Sequence, residues 1–88
     1  MLRNAKSTRA GKVGGHFAIV ASQYNARYVN AMLRGAQGVL RKAGAESVEI
    51  YRVPGAYEIP LVAARLVRHH APPLSAVICL GVILRGET

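Results

Sequence analysis

Gly14-Gly15-His16-Phe17-Ala18-Ile19-Val20-Ala21-Ser22 is the stretch that decides the fold. Phe17 to Ala21 form an uninterrupted apolar run between turn-forming residues, which reads as a buried strand. Downstream, Asn25 is placed to cap a helix in which Val29, Met32, Leu33, Ala36, Val39, Leu40 and Ala43 recur at three- and four-residue steps. Gly44 supplies the left-handed residue that ends it, whereas Gly35 and Gly38 cost helix propensity and predict close packing against something. A second strand, Val48 to Val53, puts Val48, Ile50 and Arg52 on one face and Glu49, Tyr51 and Val53 on the other, and is expected to be less buried.

A second helix is expected from near Ala56 to His70, with Ile59, Val62, Ala63, Leu66 and Val67 inward and Pro60 tolerated in the first turn. Pro72-Pro73 end it. Ser75 to Leu80 then form a continuous apolar run, which predicts a central parallel strand covered on both faces, with Cys79 in the core. The order β-α-β-α-β predicts a parallel sheet with right-handed crossovers, in the doubly wound manner. Two helices cover such a sheet poorly, and the expectation is an incomplete portion of a larger α/β domain.

Working outward to the whole chain, 88 residues make one domain. Hydrophobic residues are 51% and charged residues 18% of the chain, too apolar for disorder, while Arg and Pro interrupt every run long enough for a membrane span. Twelve Lys and Arg against four Glu and no Asp give a net charge of +8, which favours anionic ligands. The single cysteine, Cys79, excludes an internal disulfide framework and a multi-cysteine metal knuckle and fits a reducing compartment, so a cytoplasmic location is expected. Residues 1–15 carry Arg3, Lys6, Arg9 and Lys12 with no apolar core of signal-peptide length. They read as a basic N-terminal arm, with the composition of an organelle transit peptide as the other reading.

Parallel strands point the same way, so the segments that follow them meet along one rim, where ligands of such sheets bind. The first, Ser22 to Asn25, offers Tyr24, a ring that either stacks on a flat heterocycle or caps the local core. The second, Val53-Pro54-Gly55-Ala56-Tyr57-Glu58-Ile59-Pro60, brings backbone close at Gly55 and aims N–H groups outward. There Glu58 either complements the helix dipole or accepts from a ligand. The third, Gly81-Val82-Ile83-Leu84-Arg85-Gly86-Glu87-Thr88, joins a guanidinium, a glycine and a hydroxyl, a set that suits a phosphate or caps a helix. His69 and His70, in a helix's last turn without nearby acids, are poor metal ligands, and His16 merely opens a strand. There is no Walker loop, no GxGxxG fingerprint after the first strand and no nucleophile elbow.

Together the three rim segments resemble the lumazine synthase family. The resemblance runs from Phe17 to Thr88 through Tyr24-Asn25, Gly35-Ala36, Val53-Pro54-Gly55-Ala56-Tyr57-Glu58-Ile59-Pro60 and Leu80-Gly81 to Arg85-Gly86-Glu87-Thr88. It implies a flavodoxin-like three-layer sandwich with a parallel sheet, of which residues 16–88 are the N-terminal part. It also implies condensation of 5-amino-6-(D-ribitylamino)uracil with 3,4-dihydroxy-2-butanone 4-phosphate, releasing phosphate and water, in riboflavin biosynthesis, with no cofactor and no metal.

Carried over residue by residue, the resemblance has Tyr24 stacking on the pyrimidine and Ala56, Tyr57 and Glu58 holding the ribityl chain and ring. Val82, Ile83 and Leu84 would line the uracil pocket. Glu87 and Thr88 would meet the butanone phosphate in a turn shaped by Arg85 and Gly86. Tyr24 and Tyr57 add hydroxyls to commonly hydroxyl-free positions, and Leu84 is an apolar replacement. The family's proton donor is a histidine expected just after Thr88, so no catalytic residue lies within the chain, and a truncated chain would turn over little.

Relatives are pentamers or icosahedral assemblies of pentamers, so the partners implied are small-molecule substrates and further copies of the chain, with no nucleic acid and no membrane. Two other readings compete. A catalytically silent oligomeric scaffold or binding module would keep the fold without the donor. A basic nucleic-acid binder would use the +8 charge and the Arg27, Arg34, Arg41 stripe, otherwise a solvated face, and its affinity would fall steeply with salt.

Overall fold

The computed structural model describes residues 14–83. The basic arm as far as residue 13, and Leu84, Arg85, Gly86, Glu87 and Thr88, lie outside the described residues. The elements are β1 (His16–Ser22), α1 (Ala26–Lys42), β2 (Ser47–Val53), a 3-10 turn (Ala56–Glu58), α2 (Ile59–His69) and β3 (Ala76–Leu80). All pairings are parallel and the strand order is β2-β1-β3. This is the expected α/β arrangement, an incomplete flavodoxin-like fold.

The middle strand is β1, not β3. From Phe17 to Ala21 it is buried throughout, with Ala18, Ile19, Val20 and Ala21 at 0% exposure. Ile19 sits in register between Ile50 and Ile78. Because the chain steps from β1 to one side for β2 and then crosses to the other side for β3, right-handed crossovers put the two helices on opposite faces. On one face Val20 and Val53 pack with Ile59 of α2, joined by Tyr51, Ala56, Val62, Leu66 and Val77. On the other, α1 contacts all three strands and buries Val29 and Leu33.

Several expectations are corrected by this order. The apolar run of β3 does not make it central: it is an edge strand among the described residues, and Cys79 is exposed rather than in the core. Met32 and Val39 of α1 and Val67 of α2 face outward although their spacing suggested the inner face. Among the described residues each helix lies on a three-stranded sheet, so the stripe that finds cover there is narrower than the apolar pattern. Gly35 and Gly38 have no heavy atom within 4 Å of where a Cβ would stand, so the close packing expected of them is absent among the described residues.

Other signals are borne out. Gly44 ends α1 with a left-handed φ of 90°, and Pro60 falls in the first turn of α2. Strand β2 is less buried than β1. Arg27, Arg34 and Arg41 are exposed, and the Arg27 guanidinium lies 5.1 Å from the centre of the Tyr28 ring.

Candidate functional site

At the carboxyl ends of the strands the three rim segments are tied to one another. The first is laid along the second by main-chain bonds: Gln23 N–H donates to the Val53 carbonyl at 2.7 Å and Tyr24 N–H to the Pro54 carbonyl at 3.2 Å. The second meets the third at Gly81. A Cβ there would stand 3.1 Å from Ile59 Cδ1 and 3.2 Å from Ala56 Cβ, so the third segment passes over the 3-10 turn at a distance only glycine allows without movement. The first meets the third through Asn25, whose Nδ2 donates to the Val82 carbonyl at 2.7 Å.

Asn25 precedes α1 but does not cap it. Its backbone is left-handed, φ 60° and ψ 44°, and its side chain makes no capping bond. A side-chain cap is worth about 1 kcal/mol, and a left-handed non-glycine residue costs about as much again. The helix start forgoes the first and bears the second, while the side chain reaches 57 residues along the chain to Val82. The Asn25 carbonyl still serves the helix, accepting from the N–H groups of Tyr28 and Val29.

Two further side chains fix the first segment from below. Arg52 Nη2 donates to the Ser22 carbonyl at 3.0 Å, and the Ser22 hydroxyl, in a fully buried residue, donates to the Tyr24 carbonyl at 3.2 Å. Arg52, Ser22 and Asn25 were not singled out as site residues by sequence reasoning, because each acts on a backbone carbonyl, a partner that leaves no mark on hydropathy or spacing. For Asn25 the available signals were its place in the Tyr24-Asn25 string and the tolerance of Asn for left-handed backbone.

The expected site residues fall into three groups. Tyr24 stands at the rim 53% exposed, so its ring presents surface to solvent rather than closing over the core. Tyr57 is 81% exposed, and Glu58 turns its carboxylate back so that Oε1 accepts from the Gly55 N–H at 2.8 Å. That bond caps the start of the 3-10 turn, a contact the sequence reading of Glu58 as a dipole complement or ligand acceptor did not include, and a carboxylate has lone pairs for a further donor. Ala56 is half-buried under Gly81. Val82 and Ile83 continue from Gly81, the first half-buried and the second 56% exposed. Leu84, Arg85, Gly86, Glu87 and Thr88 lie outside the described residues. Tyr24, Ala56, Tyr57, Glu58, Val82 and Ile83 thus belong to one rim, built from three stretches of chain.

A groove of about 400 Å³ opens elsewhere, between β2 and the C-terminal half of α2, lined by Tyr51, Val62, Arg65, Leu66, His69 and His70. Beside it His70 is not without an acid, as sequence had suggested: its Nε2 lies 2.7 Å from Glu49 Oε1 and its Nδ1 2.7 Å from the Pro72 carbonyl oxygen. These acceptors raise the pKa of His70, the Pro72 carbonyl first and Glu49 next. The Tyr51 hydroxyl donates to the same Glu49 oxygen at 2.6 Å and, ahead of His70, lowers the pKa of Glu49. The arrangement ties α2 to β2. Among the described residues no three His, Cys, Asp or Glu side chains gather as metal ligands, and no helix is long and apolar enough to cross a membrane.

Known proteins share much of this sequence. The family model described as 6,7-dimethyl-8-ribityllumazine synthase matches residues 14–88. A protein of that name from Renibacterium salmoninarum is 43% identical over 75 residues, which are 85% of this chain and 45% of the relative. One from Mycobacterium avium is 44% identical over 75 residues, 85% of this chain and 44% of the relative. Another from Stenotrophomonas maltophilia is 46% identical over 74 residues, 82% and 46% of the two chains. The chain therefore spans less than half the length of these curated relatives.

Proposed function

The chain belongs to the 6,7-dimethyl-8-ribityllumazine synthase family, and on that premise we propose that its rim serves the condensation of 5-amino-6-(D-ribitylamino)uracil with 3,4-dihydroxy-2-butanone 4-phosphate in riboflavin biosynthesis. The observation that carries the reading is the convergence of segments 22–25, 54–58 and 81–83 through Gln23, Tyr24, Asn25 and Gly81. An exposed ring, an exposed helix start and a bare stretch of backbone then border one space. Those three features suit a flat, hydrogen-bonding heterocycle with a polyhydroxylated tail.

In this reading Tyr24 stacks on the pyrimidine. Ala56 and Tyr57 hold ring and ribityl chain through the backbone, and the Glu58 carboxylate accepts from a ribityl hydroxyl. Val82, Ile83 and Leu84 border the uracil edge. Arg85, Gly86, Glu87 and Thr88 follow directly and take the phosphate of the second substrate, the guanidinium supplying a forked pair of charge-assisted bonds.

The chemistry joins the 5-amino group of the uracil to the ketone with loss of water, expels phosphate by elimination, and closes the ring by attack of the ribitylamino nitrogen on the carbonyl so unmasked, with loss of a second water. The chain's contribution is to hold the two reactants side by side, which turns a bimolecular encounter into an internal one. Proton transfer eases phosphate departure and closure, and the donor is taken to be a histidine that follows Thr88.

The reading includes a cytoplasmic enzyme assembled as pentamers or shells of pentamers. Tyr28, Met32, Val39, Leu61 and Val67, exposed on the two helices, support further covering of those faces. The test is direct: the complete gene product, mixed with both substrates, is expected to produce the absorbance band of the lumazine. A rate no higher than that of the uncatalysed mixture contradicts the assignment.

A further inference from the structure

We propose that Asn25 is a positioning residue for this condensation, a strut whose amide sets the distance between the Tyr24 turn and the backbone at Val82. The proposal rests on the functional reading above and assigns a role to a residue that the reading leaves without one. Three observations lead to it. Asn25 stands where a helix cap is expected, yet its backbone is left-handed and its side chain caps nothing. Its Nδ2 instead donates to the Val82 carbonyl at 2.7 Å. That carbonyl lies past the end of β3, beyond the last ladder pair, Ala21 with Leu80, among the described residues. The bond therefore links the ring expected on the pyrimidine face to the backbone expected at its edge, and the chain beyond Val82 leads on to the phosphate residues.

If the strut is removed, Tyr24 and segment 54–58 keep their mutual main-chain bonds, while the third segment shifts against them. The uracil should still bind, but the second substrate is presented out of line. A misplacement of about 1 Å costs about 100-fold in rate.

Three variants of the complete gene product separate the donor from the backbone. Asn25→Gly accepts the left-handed conformation and has no side chain to span the gap. Asn25→Asp keeps the shape and replaces the donor by an acceptor. Asn25→His tolerates left-handed backbone and carries an Nδ1–H at about the same reach. We expect kcat, scaled to sites that bind the ribitylaminouracil, to fall about 10- to 100-fold in Asn25→Gly and Asn25→Asp. KM for that substrate should change less than about threefold, and Asn25→His should recover part of the loss. The carbonyl carbon of Val82 should shift in the NMR spectra of Asn25→Gly and Asn25→Asp.

Equal kcat in all variants, a loss confined to KM, or a Val82 resonance that does not move overturns the strut. If the parent binds the ribitylaminouracil and makes no lumazine, the functional reading fails and the proposed role falls with it. The Val82 resonance then still reports on whether the hydrogen bond forms.

Discussion

Gly81 crosses Ala56 so closely that a methyl group on it would stand 3.2 Å from the Ala56 Cβ and 3.1 Å from the Ile59 Cδ1. The crossing joins the end of β3 to the turn that starts α2, and it brings the second and third rim segments into contact.

Gly81→Ala must push the third segment off the turn or displace Ile59, whose ring of neighbours is already packed. We expect a loss of about 1 kcal/mol in stability and weaker binding of the ribitylaminouracil, with Gly81→Val losing about 2 to 3 kcal/mol. Denaturant unfolding and calorimetric titration check both effects. Gly81 has no left-handed φ, so the penalty is steric and should grow with side-chain volume. Equal stability of the alanine and valine variants would speak against the close crossing.

The stability of the fold is expected to rest on β1 more than on any other element. Ile19 is fully buried between Ile50 and Ile78. Ile19→Ala should cost about 2 to 5 kcal/mol through lost burial and the cavity left behind. Arg34→Ala, at an exposed position on α1, should change stability by less than about 0.5 kcal/mol. Reversal of that order in urea titrations would contradict the placement of β1 in the middle.

The tie between α2 and β2 should give stability a pH dependence of definite sign. His70 faces a carboxylate and a carbonyl, acceptors that suit the protonated ring, in which both nitrogens donate. Its pKa is raised from 6.5, chiefly by the Pro72 carbonyl and then by Glu49, so its contribution is complete below 6.5 and is lost as pH rises through the raised value. The pKa of Glu49 is lowered from 4.5, first by the Tyr51 hydroxyl and then by His70. Its contribution is present above 4.5 and is lost as pH falls through the lowered value. Between those two ordinary values both act. Unfolding of the parent and of His70→Gln should differ most near pH 5.5 and converge in alkali; a gap that does not change from pH 5.5 to 9 would count against the tie.

Much of the architecture was legible because β1 writes its burial on every residue from Phe17 to Ala21. The parallel order followed from helices alternating with strands. The apolar run of β3 was as clear, but such a run records an affinity for cover, and among the described residues β3 has a neighbouring strand on one side only. Position was set by the crossover, which puts β1 in the middle and leaves Cys79 exposed. Val39 and Val67 were misplaced for a related reason: helical spacing marks an apolar stripe, while the width buried depends on how much sheet lies beneath it.

In the site, Tyr24, Tyr57 and Glu58 could be picked out by residue type in a turn, but the bonds that gather them could not. Asn25 was read as a cap because local sequence speaks only to local partners, and Val82 is far away along the chain. The acid beside His70 was missed for the same reason, since Glu49 approaches from another element.

The most direct test of the central claim is an amide chemical-shift map of the protein titrated with 5-amino-6-(D-ribitylamino)uracil. The account predicts perturbations concentrated at residues 22–25, 54–58 and 81–84, all saturating at one concentration. Perturbations centred on Tyr51, Arg65 and His69, or spread evenly over the surface, would contradict it.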